Sequence, residues 1–178
     1  MTMVEKTPAP EELKSQRLRE LFEGDIWSLP PELWLGGEIA EEIEKRLLAL
    51  GWSDDQIGFF SLAVHEAFVN AVKYGSFGIR VEEGPNKKEI REKKAMEIEA
   101  SGEFKDKLVS IVLDLSPREA TVRITDQGQG FSVDAIPDPT DPSRLLELTG
   151  RGIDIMKKSC DRAEFKDNTV TLYKKRVH

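Results

Sequence analysis

Asp126-Gln127-Gly128-Gln129-Gly130-Phe131 is the stretch that decides how this chain folds. By itself, an acidic residue followed by two spaced glycines describes only a loop. The stretch gains meaning from Glu66-Ala67-Phe68-Val69-Asn70 upstream and from Thr149-Gly150-Arg151-Gly152-Ile153 downstream. A helix that carries Glu and Asn, an Asp-x-Gly-x-Gly turn and a Gly-x-Gly that opens a second helix together predict a nucleotide pocket.

Composition limits the other possibilities. The 178 residues suit one domain with a sizeable core, and 39% hydrophobic with 33% charged residues is typical of a well-solvated globular protein. A formal net charge of -7 argues against general nucleic-acid binding. It does not argue against ATP, because a phosphate site needs only local hydrogen-bond donors.

The sequence favours a cytoplasmic protein. It contains no run of about 18 apolar residues, which predicts no membrane span, and its start, Met1 to Pro8, lacks the apolar core of a signal peptide. The single Cys160 excludes an intrachain disulfide, which favours a reducing compartment. Two histidines, His65 and His178, are too few and too widely separated to predict a metal cage.

A Pro-containing start and a charged stretch, Glu11 to Glu23, indicate an N-terminal extension, residues 1–24. We interpret the extension as an appendage whose charged stretch forms a helix, ordered against a partner. A dense run of mixed charges predicts an insertion at about 77–107, with a helix over Glu89–Ala100 stabilised by i,i+4 pairs. We interpret the insertion as a solvated surface segment, and a partner-contacting arm is the alternative.

The best-marked element is a helix that begins after Ser53 and that Gly75 closes. Glu66, Asn70 and Lys73 are spaced i, i+4 and i+7, on the face opposite its apolar stripe.

The polar face of this helix is not simply solvated. It also carries Phe59, Leu62 and Ala63. A carboxylate and an amide set beyond an apolar patch favour polar groups that point into a cleft. An ordinary amphipathic helix with a solvated Glu and Asn is the alternative.

After the insertion, the apolar period changes to two, the period of a strand. Leu108–Leu115 and Ala120–Thr125 form a predicted hairpin that runs directly into Asp126. A second predicted hairpin joins Arg162–Phe165 to Thr169–Lys175. Strands paired as hairpins, with helices grouped elsewhere, predict an α+β two-layer sandwich rather than a doubly wound sheet.

The glycine motifs have a chemistry that suits a nucleotide. Asp126 ends a buried strand, where a carboxylate needs a hydrogen-bond donor such as a nucleobase amino group. Gly128 and Gly130 permit positive φ and the close approach of a flat base. The segment Gly150-Arg151-Gly152 precedes a helix whose free N–H groups favour phosphate, and its arginine adds a positive fork.

The polar helix face adds groups for phosphoryl transfer. Asn70 offers a neutral oxygen to Mg²⁺, and Glu66, one turn away, can accept a proton from an attacking hydroxyl or water. Lys73 extends the same face and is a further candidate for contact with the nucleotide. The glycines form neither a Walker loop nor a dinucleotide fingerprint.

The ordered set Glu66-x-x-x-Asn70, Asp126-x-Gly-x-Gly-Phe131 and Gly150-Arg-Gly152 resembles the ATPase fold of gyrase-type ATPases and histidine kinases, the GHKL group. Within that group the chain is most similar to bacterial anti-sigma-factor serine kinases of the RsbW type. The run Asp138–Glu147 is similar to the lid region of that branch, and the resemblance covers roughly residues 25–176.

The resemblance implies a Bergerat-type α/β sandwich with a mixed, mostly antiparallel sheet and helices on one face. It implies ATP and Mg²⁺ as cofactors, with Glu66 as catalytic base, Asn70 as magnesium ligand and Asp126 as reader of the adenine amino group. The resemblance also implies that further residues bind ATP: Lys73, Gly128, Gly130, Gly150, Arg151 and Gly152. Thr169 and Thr171 would help to hold the adenine through water.

The resemblance also implies partners. Such proteins act as homodimers that bind a sigma factor or another output regulator. They phosphorylate a serine of a STAS-type anti-anti-sigma antagonist, which then dissociates and frees the kinase for its output partner. Direct nucleic-acid binding and a membrane are not expected.

Two other functions stay open at this stage. A nucleotide-gated binding module without transfer activity would use ATP to change its affinity for a partner. A detached histidine-kinase-like ATPase domain would serve a separate protein that carries the histidine. Glu66 argues against the second, because histidine kinases usually carry Asn there, and about 24 residues before the first strand are too few for a phospho-accepting hairpin.

Overall fold

The computed structural model describes residues 9–80, 84–128 and 148–177, and within these ranges it contains five α-helices, one π-helical turn and five strands. Their bounds in chain order are α1 Pro10–Leu21, β1 Ile26–Leu29, α2 Leu35–Ala49, α3 Asp54–Asn70, the π turn Ala71–Ser76, α4 Lys87–Ser101, β2 Val109–Leu115, β3 Glu119–Thr125, α5 Leu148–Ser159, β4 Arg162–Lys166 and β5 Thr169–Lys175.

The strands form one sheet in the order β1-β2-β3-β5-β4, and each neighbouring pair is antiparallel. This confirms the predicted α+β class with its two hairpins. The resemblance implied a mixed sheet, but every neighbouring pair of described strands is antiparallel. Two of the four pairs are hairpins, and the longer connections from β1 to β2 and from β3 to β5 also bring the chain back in the antiparallel direction.

One face of the sheet forms the floor of the core. The strand registers align Trp27, Ile111, Ile124, Val170 and Phe165 in a single row that crosses every strand. The first four are buried and the last is partly buried against them. Burial of a large apolar side chain contributes about 1.5–3 kcal/mol, so this row resists a one-residue slip, which would turn it to the other face.

Helices α2 and α3 pack closely on this floor. A β-carbon added at Gly36 would lie 3.1 Å from His65 Nδ1 and 3.2 Å from Val69 Cγ2. Glycine at this position therefore lets the two helices approach. Ser61 in α3 also donates a hydrogen bond to Glu44 in α2.

The predicted extension carries its helix and contacts the domain. Arg17 in α1 lies 2.8 Å from Glu32, and Lys14 pairs with Glu38 in α2. Trp34 stacks beneath both cations, with centroid distances of 5.2 and 5.7 Å. The extension is thus held at the start of α2 rather than detached.

The insertion also forms its predicted helix, α4, which packs on the domain through the buried Ala95 and the partly buried Ile98. Glu99 accepts a hydrogen bond from Leu33 N–H at 2.7 Å. The insertion is consequently more than a solvated loop.

None of the described helices is long and apolar enough to cross a membrane. Cys160 is buried, and burial raises the pKa of its thiol to about 12. A thiol in that state is inert at neutral pH.

Helix α3 allows a direct test of the core. Phe60 is fully buried, so we expect Phe60→Ala to lower the free energy of unfolding by about 3–5 kcal/mol, through lost burial and the cavity that remains. Urea unfolding followed by circular dichroism measures this change.

The adjacent residue is the matched control. Phe59 is 62% exposed, so Phe59→Ala should change the free energy of unfolding by no more than about 0.5 kcal/mol. Equal losses in the two variants would contradict the described orientation of α3.

Candidate nucleotide site

Helix α3 does not end at Gly75, as the sequence predicted, but at Asn70, and the chain continues as the π turn Ala71–Ser76. Phe77 N–H donates to Val72 O at 2.8 Å, the five-residue spacing of a π turn. The extra width carries Gly75 inward instead of ending the helix. The hydroxyl of Ser76 is buried in this turn and has no hydrogen-bond partner among the described residues.

Gly75 is in direct contact with the Asp126 carboxylate. A β-carbon added at Gly75 would lie 2.2 Å from Asp126 Cγ and 2.4 Å from each carboxylate oxygen. No side chain other than that of glycine fits there without displacing the carboxylate. Gly75 is therefore a site residue, whereas the sequence assigned it only to the end of a helix.

Asp126 is 7% exposed, and burial raises the pKa of its carboxyl group above the ordinary value. The Gly128 N–H donates to Asp126 Oδ1 at 2.7 Å and opposes this rise. The Asp126 N–H in turn donates to Asn168 O at 3.0 Å, and Asn168 Nδ2 donates to Asp126 O. The turn between β4 and β5 thus holds the backbone of Asp126 in place.

Gly128 is required for a different reason from the one predicted. Its φ is not positive, so the expected left-handed conformation is wrong. A β-carbon there would lie 2.5 Å from Gly75 O and 2.8 Å from Asp126 Oδ1. Close packing of the Asp126 loop on the π turn therefore requires glycine. Gly130, the second glycine of this motif, lies outside the described residues.

Glu66 and Asn70 converge on the first turns of α5. A β-carbon added at Gly152 would lie 3.1 Å from Glu66 Oε2 and 3.1 Å from Asn70 Nδ2. Neither polar side chain hydrogen-bonds to another described residue. The structure therefore brings three predicted site residues together and leaves their polar atoms available.

Helix α5 begins at Leu148, so Gly150 and Arg151 lie inside its first turn rather than before it. Their side chains and surroundings lie outside the described residues. The backbone still places the start of a helix beside Glu66 and Asn70, where free N–H groups favour an anion.

Lys73 has a partner that the sequence did not predict. Lys73 Nζ lies 2.7 Å from Glu92 Oε1 in α4. The lysine side chain is mostly buried in this pair. In this structure the Lys73 amino group pairs with the insertion rather than with Glu66 or Asn70.

Thr169 and Thr171 share one face of β5, opposite the face that carries Val170 into the core. Thr169 Oγ1 lies 2.9 Å from Thr125 Oγ1, on the residue before Asp126. Thr171 pairs with Arg123 instead, farther along β3. Thr169 is therefore the nearer of the two to the pocket, and the water-mediated contact with adenine stays a prediction.

Two cations near the pocket were not found from the sequence. Lys107 Nζ donates to Ser76 O at 3.0 Å, and the Arg80 guanidinium donates to Tyr74 O at 3.0 Å. The charges of both lower the pKa of Asp126, although burial still prevails. They lie in a general run of mixed charges, and nothing in that run distinguishes them from solvated neighbours.

Magnesium suits this pocket only as a companion of phosphate. Within the described ranges, no cluster of His, Cys, Asp and Glu could hold a metal ion. Mg²⁺ is commonly held by one or two protein oxygens together with phosphates and water. Asn70 Oδ1 provides one such neutral oxygen next to the start of α5.

The comparison with known proteins agrees with this geometry. A family model described as a histidine kinase-like ATPase domain matches residues 37–174, well over half of the chain. The match includes α3, the π turn, the Asp126 loop and α5. No curated protein matches the chain. Membership of this family implies that the chain binds ATP.

The contact between Gly75 and Asp126 can be tested by adding one methyl group. We expect Gly75→Ala to weaken ATP binding roughly ten- to a hundredfold, because relieving such a clash costs about 1–3 kcal/mol and displaces the carboxylate. Titration with a fluorescent ATP analogue measures the affinity.

Gly58→Ala is the control, since the same change in α3 meets nothing within 4 Å. It should leave ATP affinity unchanged and raise stability by about 0.5–1 kcal/mol. Unchanged affinity in Gly75→Ala would contradict the close packing described here.

The raised pKa of Asp126 has a consequence for stability. Protonated Asp126 contributes fully to the free energy of unfolding below the ordinary pKa of 3.8. This contribution is lost as the pH rises through the higher pKa of the folded state. Asparagine carries no titratable group, so Asp126→Asn does not lose stability in this way. The apo variant should therefore gain stability relative to wild type as the pH rises from 3.8 toward neutrality, while its ATP binding falls.

Urea unfolding of both proteins between pH 4 and pH 7, without nucleotide, measures the difference in stability. A difference that stays constant with pH, or that shifts against the variant as the pH rises, would show that burial does not raise the pKa of Asp126.

Proposed function

This chain belongs to the histidine kinase-like ATPase domain family, and on that basis we propose that it is an ATP-dependent serine/threonine protein kinase. The membership confirms the resemblance to the GHKL group at the level of the superfamily. The proposed activity is finer than the family description. It rests on one carboxylate, that of Glu66, beside Asn70.

The observation that carries the proposal is the convergence of Glu66 and Asn70 on Gly152. Glu66 Oε2 and Asn70 Nδ2 both lie against the Cα of that glycine in the second turn of α5. A phosphate at the start of α5 would thus have a free carboxylate and a neutral amide beside it. This combination suits transfer to a hydroxyl, which needs a base.

In the proposed reaction, Glu66 accepts the proton of a serine hydroxyl as its oxygen attacks the γ-phosphorus of ATP. The bond between the γ-phosphorus and the β–γ bridging oxygen breaks, and ADP leaves with the electron pair. Asn70 would hold Mg²⁺, which, when bound, neutralises phosphate charge. Asp126 would accept a hydrogen bond from the adenine amino group and so orient the nucleotide.

We further propose that phosphorylation serves a partner switch. The chain would act as an anti-sigma factor or a similar regulator, as a homodimer, and would phosphorylate a STAS-type antagonist. The support for this branch is the resemblance to kinases of the RsbW type, including Glu66 and the lid-like run Asp138–Glu147. The run itself lies outside the described residues.

Glu66→Gln separates transfer from binding. The amide keeps the size of the side chain but cannot accept the proton, so phosphoryl transfer should fall by about 10²–10⁴-fold while ATP binding is kept. The assay follows γ-labelled phosphate from Mg·ATP into proteins of a cell extract and tests the label for acid stability.

The outcomes distinguish the proposed kinase from its alternatives. An acid-stable label on one protein, lost in Glu66→Gln, supports a serine or threonine kinase. An acid-labile label indicates a histidine acceptor and contradicts the proposal. ATP binding without any transfer would identify a nucleotide-gated binding module instead.

A further inference from the structure

The insertion contacts the nucleotide site at three places. Arg80, near its start, donates to the carbonyl of Tyr74, and Lys107, at its end, donates to that of Ser76. Glu92, in its helix α4, pairs with Lys73. Every one of these contacts falls on the π turn, which also presents Gly75 to Asp126.

Lys73 lies at the centre of this arrangement. Along the chain it stands between Asn70, at the phosphate end of the site, and Gly75, at the adenine end. Its side chain is 13% exposed, whereas that of Glu92 is 49% exposed. The lysine is thus the buried member of the pair, on the turn that also carries Gly75, and the glutamate is the accessible member.

Helix α4 contributes only a few residues to the core. Ala95 is buried, Ile98 is partly buried against the core, and Leu33 N–H donates a hydrogen bond to Glu99. Most of the helix is exposed, including Ile90 and Met96. An element with few buried apolar residues opens more readily than the central core of a domain.

We propose that Glu92 and the phosphates of ATP compete for Lys73, so that bound ATP weakens the docking of α4 on the domain. The inference rests on the proposed nucleotide site and adds to it a residue, Glu92, that adjusts nucleotide affinity through Lys73. Glu92 is thereby a positioning residue, because it acts on ATP only through the lysine.

Electrostatics supports competition over a shared three-way contact. A lysine ammonium is one point charge, and it cannot fully compensate both a carboxylate and a polyphosphate. A carboxylate held within hydrogen-bond distance of that ammonium would lie close to the phosphates and repel them. The coupling between two binding events is reciprocal. If docked Glu92 weakens ATP binding, bound ATP must weaken the docking of α4 by the same free energy.

The test compares two glutamates of the same helix. Glu92→Gln should tighten ATP binding by about fivefold or more, the lower end of typical coupling, as measured with a fluorescent ATP analogue. Glu97→Gln removes an equal charge from α4, where the described ion pair of Glu97 is with Lys93, at 3.9 Å, and not with Lys73. Its ATP affinity should match that of wild type.

Repeating the Glu92→Gln substitution in a Lys73→Met protein tests whether Glu92 changes ATP affinity through Lys73. In Lys73→Met, adding Glu92→Gln should no longer change ATP affinity, although ATP binds more weakly overall. Hydrogen exchange provides the reciprocal readout: a non-hydrolysable ATP analogue should speed exchange of the α4 amides in wild type. Thermal melting verifies that each variant is folded.

Equal ATP affinities for wild type and Glu92→Gln would overturn the proposal, as would the same gain in Glu97→Gln or in the Lys73→Met background. Slower exchange in α4 with nucleotide would also overturn it. A wild-type protein that binds ATP but transfers no phosphate would contradict the proposed kinase function and leave the competition for Lys73 intact. The affinity and hydrogen-exchange measurements depend on ATP binding and not on phosphoryl transfer.

Discussion

The rest of the structure depends on a buried carboxylate that is packed against a glycine. Asp126 leaves the end of β3 and meets the Cα of Gly75 in the π turn after α3. Burying a charge is costly unless polar groups surround it. The Gly128 N–H, the turn at Asn168 and the nearby cations Arg80 and Lys107 supply that environment. The energy spent on burial keeps an acceptor poised for a ligand.

This packing makes the helical layer and the sheet act as one site. The π turn sets the position of Gly75 at one end of the pocket, while α3 presents Glu66 and Asn70 to α5 at the other. The insertion contacts the same π turn through Arg80, Glu92 and Lys107, so this run of charges is not simply solvated. The insertion and the two ends of the candidate site thus meet at one short stretch of backbone.

Local patterns were enough to predict much of this arrangement. Alternating apolar residues located the two hairpins, and helical spacing set Glu66 and Asn70 one turn apart on the polar face of α3. The Asp-x-Gly-x-Gly order was enough to predict a buried carboxylate. The wrong expectations concerned backbone detail: a helix end at Gly75 and a positive φ at Gly128. Both glycines are needed for close approach instead, and close approach depends on a segment distant in sequence.

The sequence by itself determined the elements, the α+β class and the types of residue at the candidate site, because these follow from periodicity and side-chain chemistry along a short stretch of chain. Only the tertiary structure decided which groups meet. It brought Gly152 to Glu66 and Asn70, Gly75 to Asp126, and Glu92 to Lys73. Contacts between distant segments depend on how the layers pack and on how the π turn widens the end of α3. No local pattern encodes that packing.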